Sequence, residues 1–208
     1  MNTRETGTAT IDRPTRAMVP YRLVFPNGVA NLNIRVSASM PETYRGEFYG
    51  PKPRVTEIDG VISIDYPRFN PLIWGRTSAD VTLSPTASWS IEVRGGVSRW
   101  DGDLRNIGLK GIEIRGGLSN ADLRLPQPTG TVPVHVSGGV SHLTLHRPGG
   151  VPARVHIRGG ASKLELDAQY LGAIGGPIRL ETPGYPSAAD RYDLDIGGGA
   201  SKITVVGD

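Results

Sequence analysis

Two histidines, His135 and His156, occupy the same place in two copies of a short motif, each between apolar residues: Val134 and Val136 for the first, Val155 and Ile157 for the second. Side chains alternate across a strand, so both rings project to one outer face, and at one strand spacing two imidazoles can share a metal ion. No third ligand falls in register, because Glu113 lies a unit below and Asp195 is separated by a long insertion. No metal site is expected. Asp193 and Asp195 alternate with Leu194 and Ile196, and a pair of carboxylates on a repetitive β-face is the equipment of a polysaccharide-cleaving enzyme. Nothing else converges on them. Five serines, Ser98, Ser119, Ser141, Ser162 and Ser201, each follow two glycines and one small apolar residue. A nucleophile is not needed five times, so this serine column is expected to satisfy corner backbone groups and neighbouring hydroxyls. The chain lacks the Lys-Ser/Thr of a phosphate loop, a G-x-S-x-G elbow and a His-Glu zinc spacing. The expectation is therefore a non-enzyme with no catalytic residue and no cofactor. Arg94, Arg115 and Arg158, with Arg99, Lys163 and Lys202 beyond the corner, form spaced cations that match an anionic polymer. Glu92, Glu113, Asp122 and Glu165 lie among them and favour a charge-balanced face.

These groups recur because the elements that carry them recur. The unit is two alternating apolar residues, a Gly-Gly corner, a small apolar residue, a serine and two more alternating apolar residues. Its corners are Gly95-Gly96, Gly116-Gly117, Gly138-Gly139, Gly159-Gly160 and Gly198-Gly199, with first glycines 21, 22, 21 and 39 residues apart. Such a period marks a stacked repeat, and the final gap reads as one enlarged unit or two with a degraded corner. Val155, Ile157, Leu164 and Leu166 should face inward while Arg154, His156, Arg158, Lys163 and Glu165 face solvent. The glycines are expected to turn the chain by taking positive φ. One unit cannot bury its apolar edge alone, so the fold class predicted is an all-β, β-solenoid-like stack of about 21-residue repeats.

Before the regular units, strands are expected at 21–25, 54–58, 61–66 (with Gly60 as a corner) and 79–83. Gly28-Val29-Ala30-Asn31-Leu32-Asn33-Ile34 reads as a diverged first unit. Residues 1–19 read as a mobile arm and 20–208 as a single β-repeat domain, with 20–89 as diverged repeats or a cap and 90–208 as regular repeats. Ten of the thirteen aromatic residues fall between 21 and 100, which fits a cap. A short helical turn is expected at 167–171. The 208 residues contain no cysteine, which removes disulfides and thiolate sites. A net charge of +3 with interspersed signs argues against a nucleic-acid partner. No apolar run is long enough to span a membrane, and the first twenty residues lack a secretory core, so the expectation is cytoplasmic.

The G-G-[VAL]-S corners, with the 21–25 strand followed by the Gly28 to Ile34 segment, resemble the bacterial β-strand-repeat proteins grouped as adhesin-like and the toast-rack domains of envelope-stress proteins. The resemblance covers residues 20–208 and implies a non-enzymatic structural or interaction module, with no catalytic residues to carry over. The function expected is the presentation of a rigid repetitive β-surface for self-association, as a homo-oligomer, or for a protein partner. The alternative is carbohydrate binding or processing through the acidic pairs and an aromatic cluster of Trp74, Trp89 and Trp100. Because Ile203, Thr204, Val205 and Val206 end the last repeat with no visible cap, they are expected to form an exposed association edge.

Overall fold

The computed structural model describes residues 7–9, 20–67 and 77–208. Alternating apolar residues make nineteen strands there and no α-helix. They are β1 (Gly7–Ala9), β2 (Pro20–Phe25), β3 (Val29–Val36), β4 (Tyr44–Tyr49), β5 (Arg54–Ile58), β6 (Val61–Asp65), β7 (Ser78–Leu83), β8 (Ser88–Val93), β9 (Val97–Asp103), β10 (Gly108–Ile114), β11 (Leu118–Arg124), β12 (Thr131–Val136), β13 (Val140–Arg147), β14 (Ala153–Ile157), β15 (Leu164–Leu166), β16 (Gln169–Leu171), β17 (Ile178–Glu181), β18 (Arg191–Ile196) and β19 (Ile203–Gly207). They form two sheets. The first runs β1-β4-β7-β3-β9-β11-β13-β19-β15-β16, and the second β17-β14-β18-β12-β10-β8-β2-β6-β5.

Each unit sends its strand before the corner to the second sheet and its strand after the corner to the first. Strands of neighbouring rungs pair in parallel, as Ile112 opposite Val134 and Leu123 opposite Leu145 illustrate. Every second side chain is removed from water: Val155, Ile157, Leu164 and Leu166 are buried, and so are Ile203 and Val205. One hydrophobic cluster extends from Leu23 to Val205 between the sheets. Burying each of these side chains contributes about 1.5–3 kcal/mol, which is what holds rungs together that could not persist singly.

The order of the rungs differs from the order of the sequence. The rung β18–β19 does not follow β14–β15; it inserts between β12–β13 and β14–β15, with β18 pairing to both β12 and β14 and β19 to both β13 and β15. The expected association edge is therefore overturned. Ile203, Thr204 and Val205 have strand partners on both sides, and Val206 is paired with His146 in an interior strand. The other end of the stack repeats the device, since β2–β3 lies next to β8–β9 and β6–β7 lies outside it.

At both ends the parallel stack stops at antiparallel strands. β4 covers β7 and β5 covers β6 at one end; β16 covers β15 and β17 covers β14 at the other. The 39-residue gap is thus an enlarged unit holding the cover strands, and the helical turn expected at 167–171 is instead Asp167 at φ 51 followed by β16. The β5–β6 hairpin turns through Asp59 and Gly60, both at positive φ, so Gly60 is a hairpin turn and not a repeat corner. Within the arm, Gly7–Ala9 pairs antiparallel with β4 as a strand, which the sequence reading did not foresee. The rest of the arm, with Phe69 and Trp74, lies outside the described residues.

Positive φ is not why the corners are glycine. None of the ten corner glycines has it. The first glycines stack on one another: a Cβ on Gly116 would lie 2.6 Å from the carbonyl carbon of Gly95, and one on Gly138 2.7 Å from the carbonyl oxygen of Gly116. The order continues through Gly198 to Gly159, each N–H donating to the carbonyl of the glycine before it at 3.1–3.2 Å. The second glycines turn the ladder round, for the carbonyls of Gly117, Gly139 and Gly199 accept from Val97, Leu118 and Val140. At the first glycines of the corners glycine is required because two backbones approach too closely for any side chain, whereas a Cβ on Gly199 would meet nothing nearer than 3.6 Å.

Candidate functional site

Two surfaces gather the residues singled out by the sequence. The first is the corner itself. There the two sheets meet in an open groove of about 1100 Å³ whose floor is glycine backbone and whose wall carries all five serines. Pairing passes over the serine in each rung, going from Leu118–Val140 directly to Asn120–His142, so Ser119, Ser141 and the residues after them are both turned outward. Ser162 donates to the Ser201 hydroxyl at 3.2 Å across adjacent rungs. The serines stand on an open, polar wall, with the exposed His142 directly after Ser141. Arg99, Lys163 and Lys202 follow three of the serines and are exposed, with no carboxylate at ion-pair distance among the described residues.

The second surface is the outer face of the second sheet. One register line across it reads Glu92, Glu113, His135, Asp195, His156, Arg179. The two histidines are not adjacent, as the sequence had implied. The inserted β18 puts Asp195 between them, with Oδ2 3.0 Å from His135 Nδ1 and Oδ1 3.0 Å from His156 Nδ1. Arg158 adds a fork to the same carboxylate at 3.2 and 2.8 Å. Burial pushes the Asp195 carboxyl up, but Arg158 and the two imidazoles outweigh it and hold the group below the usual aspartate value. Asp193 is likewise taken up by Arg154. Both acidic groups of the supposed pair are engaged by arginine, which leaves neither as a free acid or base. Among the described residues no three His, Asp or Glu side chains converge as a metal site.

Glu92 was read as one of several outward charges, yet it is 2 % exposed. Three guanidinium groups enclose it: Arg94 Nε at 2.8 Å, Arg115 Nη2 at 3.1 Å and Arg22 Nε at 3.3 Å. Burial raises its pKa and the three arginines more than offset that, so the carboxyl is held below its ordinary value. Sequence offered one signal for this, the Arg at 94 and 115 two residues after Glu92 and Glu113; Arg22 comes alongside only through the β2–β8 pairing. Trp89 and Trp100 are buried, 0 % and 1 % exposed, so they form no aromatic platform.

Parallel rungs closed by antiparallel strands define a two-sheet all-β fold of stacked rungs. Residues 43–146 match the family model of the N-terminal domain of toast_rack, DUF2154, and the chain belongs to that family. The family is not a known enzyme family. A solved structure of a candidate cell adhesion protein from Clostridium sporogenes is similar over 98 % of this chain and 100 % of that one, with a TM-score of 0.70 at 20 % identity, and shares the fold. No curated protein sequence matches the chain. No helix among the described residues is long and apolar enough to cross a membrane.

Proposed function

We propose that the chain is a non-catalytic interaction module, a solenoid-like stack whose rigid outer surface binds a protein partner or a second copy. The observation that carries this reading is the closure of both stack ends by antiparallel strands. It leaves the broad charged faces and the corner groove, not an open rung, as the surface on offer. Self-association in this reading runs through the faces and not through β19. The cytoplasmic placement read from the sequence belongs to the same proposal and is checked by cell fractionation. The aromatic route to carbohydrate loses its support with Trp89 and Trp100 buried.

Sedimentation equilibrium across micromolar concentrations, joined to residue-resolved cross-linking in cells, tests the reading. The expected result is either dimerisation or a reproducible partner cross-linked to Lys110, Lys163 or Lys202, lost in an Arg115→Glu/Arg158→Glu double variant. A chain that stays monomeric and yields the same cross-links with and without the charge reversal overturns it.

A further inference from the structure

The surplus positive charge of the chain lies along the corner groove. Counted from the residue before the first glycine to two places beyond the serine, the five corners run 94–100, 115–121, 137–143, 158–164 and 197–203, and they hold six basic residues and no acidic one. Of the 23 basic residues these take six, which leaves 17 against all 20 acidic ones, so the net charge of +3 arises at this edge of the molecule. Arg94, Arg115 and Arg158 stand on the bank next to the second sheet, engaged by Glu92, Glu113 and Asp195. Arg99, Lys163 and Lys202 stand on the opposite bank, exposed and with no carboxylate at ion-pair distance among the described residues. Asp101 and Asp122, further along that sheet, pair instead with Arg35 and Arg124.

Between the banks the groove offers about 1100 Å³, at the upper end of the range that holds ligands. In rung order it passes Ser98, Ser119, Ser141, Ser201 and Ser162, a run of four strand spacings or about 19 Å. The hydroxyls of Ser119 and Ser141 have no partner among the described residues, so they are free to bond a ligand. An anionic polymer fits this shape and charge, and the lining selects among polymers. A peptide that adds by backbone pairing finds the carbonyls of Gly117, Gly139 and Gly199 already accepting from Val97, Leu118 and Val140. A single-stranded nucleic acid finds no aromatic ring in the lining on which to stack its bases. An extended chain of pyranose rings needs neither. Each ring advances it by about one rung spacing, so successive rings meet successive serines.

We infer that the corner groove binds a linear acidic polysaccharide lengthwise, its ring hydroxyls exchanging hydrogen bonds with the serine column and its carboxylates facing Arg99, Lys163 and Lys202. Recognition is by charge and hydrogen bonds, independent of the buried tryptophans. It goes beyond the protein-partner reading without resting on it, and a sugar that fails to bind leaves that reading standing.

The test is titration of the isotopically labelled chain with an oligomannuronate, a cello-oligosaccharide of equal length, an oligodeoxythymidylate and polyglutamate, following amide shifts. The result expected is saturable shifts at Ser119, Ser141 and Ser201 with the oligomannuronate. The cello-oligosaccharide lacks the charge and the other two polyanions lack the ring hydroxyls, so each should bind at least about tenfold more weakly. An Arg99→Gln/Lys163→Gln/Lys202→Gln variant, changed only at exposed positions, should weaken oligomannuronate binding by about tenfold or more at unchanged melting temperature. Ser119→Ala/Ser141→Ala keeps every charge and should weaken the oligomannuronate alone, leaving the polyglutamate titration as it was. Shifts absent from the corners, either polyanion binding as tightly as the uronate, or oligomannuronate affinity unchanged in both variants overturns the inference.

Discussion

The two ends of the stack have the same layout and are built in opposite order. At one end the chain lays down the inner rung β2–β3, then the covers β4 and β5, then the outer rung β6–β7; at the other it lays down the outer rung β14–β15, then the covers β16 and β17, then the inner rung β18–β19. What fills them differs. The β4–β7 end is closed with rings: Tyr44, Phe48 and Tyr66 are buried, and Tyr66 donates to the Ser78 carbonyl at 2.5 Å. Its edge strand β5 places Glu57 opposite the buried Ile62, an inward-facing charge of the kind that discourages another strand from adding on. The β14–β17 end is closed with smaller aliphatic groups, Leu171, Ile178 and Leu180, and with an ionic clamp. The buried Arg147 holds Asp167, and the other Asp167 oxygen accepts from the Gly207 amide at 3.1 Å, fastening the inserted strand to the rung outside it. Aromatic volume and a tethered arginine thus serve the same purpose, sealing an open core against water.

The comparison breaks first if the inner rungs are unequal. Ile34→Pro in β3 and Val205→Pro in β19 each remove a ladder donor and a buried side chain from a strand paired on both sides, and each should cost about 4 kcal/mol or more. Urea midpoints for the two should fall together, and a small effect at Val205 alone would return β19 to an edge. Next in size, Phe48→Ala should cost about 3 kcal/mol, while Leu171→Ala, only half-buried, should cost about 1 kcal/mol. Equal losses would mean that the rings do not carry the first end. Asp167→Ala leaves Arg147 buried without its partner. Because the Asp167 side chain is itself 39 % exposed, the expected loss is about 2 kcal/mol, with faster amide exchange at Gly207 as the local sign.

The smallest effects are in pH. Burial pushes the Tyr44 hydroxyl up to about 12 and Tyr66 further still. A raised folded value means the unfolded chain ionises first, so stability is full below pH 10 and declines as the pH climbs toward 12, less so in Tyr44→Phe. On the acid side Arg105 holds Asp103 low, and arginines outweigh burial at Glu92 and Asp195. Depressed folded values give a contribution present above about pH 4 and lost as the pH falls below it. A midpoint flat from pH 6 to 2 would remove these pairs from the account.

The strands and their inward faces were legible because period-two alternation records burial directly: Val155 and Ile157 could be placed without coordinates, and so could Leu164 and Leu166. The order of the rungs was not, since Leu194-Asp195-Ile196 has the same local pattern as Val155-His156-Ile157 and fits either side of it. That one ambiguity misplaced Asp195, separated it from both histidines and turned Ile203 to Val206 into an edge. β4 escaped notice although Tyr44, Gly46 and Phe48 alternate correctly, because its glycine and charges resemble a loop. The corner glycines were located but misexplained, for a sequence does not show how closely a second backbone approaches.

The insertion of β18–β19 also sets a timetable. A ribosome delivers β14–β15 before the rung that will separate it from β12–β13, and until residues 191–207 emerge the neighbour it needs does not exist. The repeat period offers a substitute: Val155 and Gly159 follow Val134 and Gly138 by 21 residues, so the newly made rung can rest directly on its predecessor in matching register. Wherever that provisional contact forms, it must part to admit β18–β19 before the stack is complete.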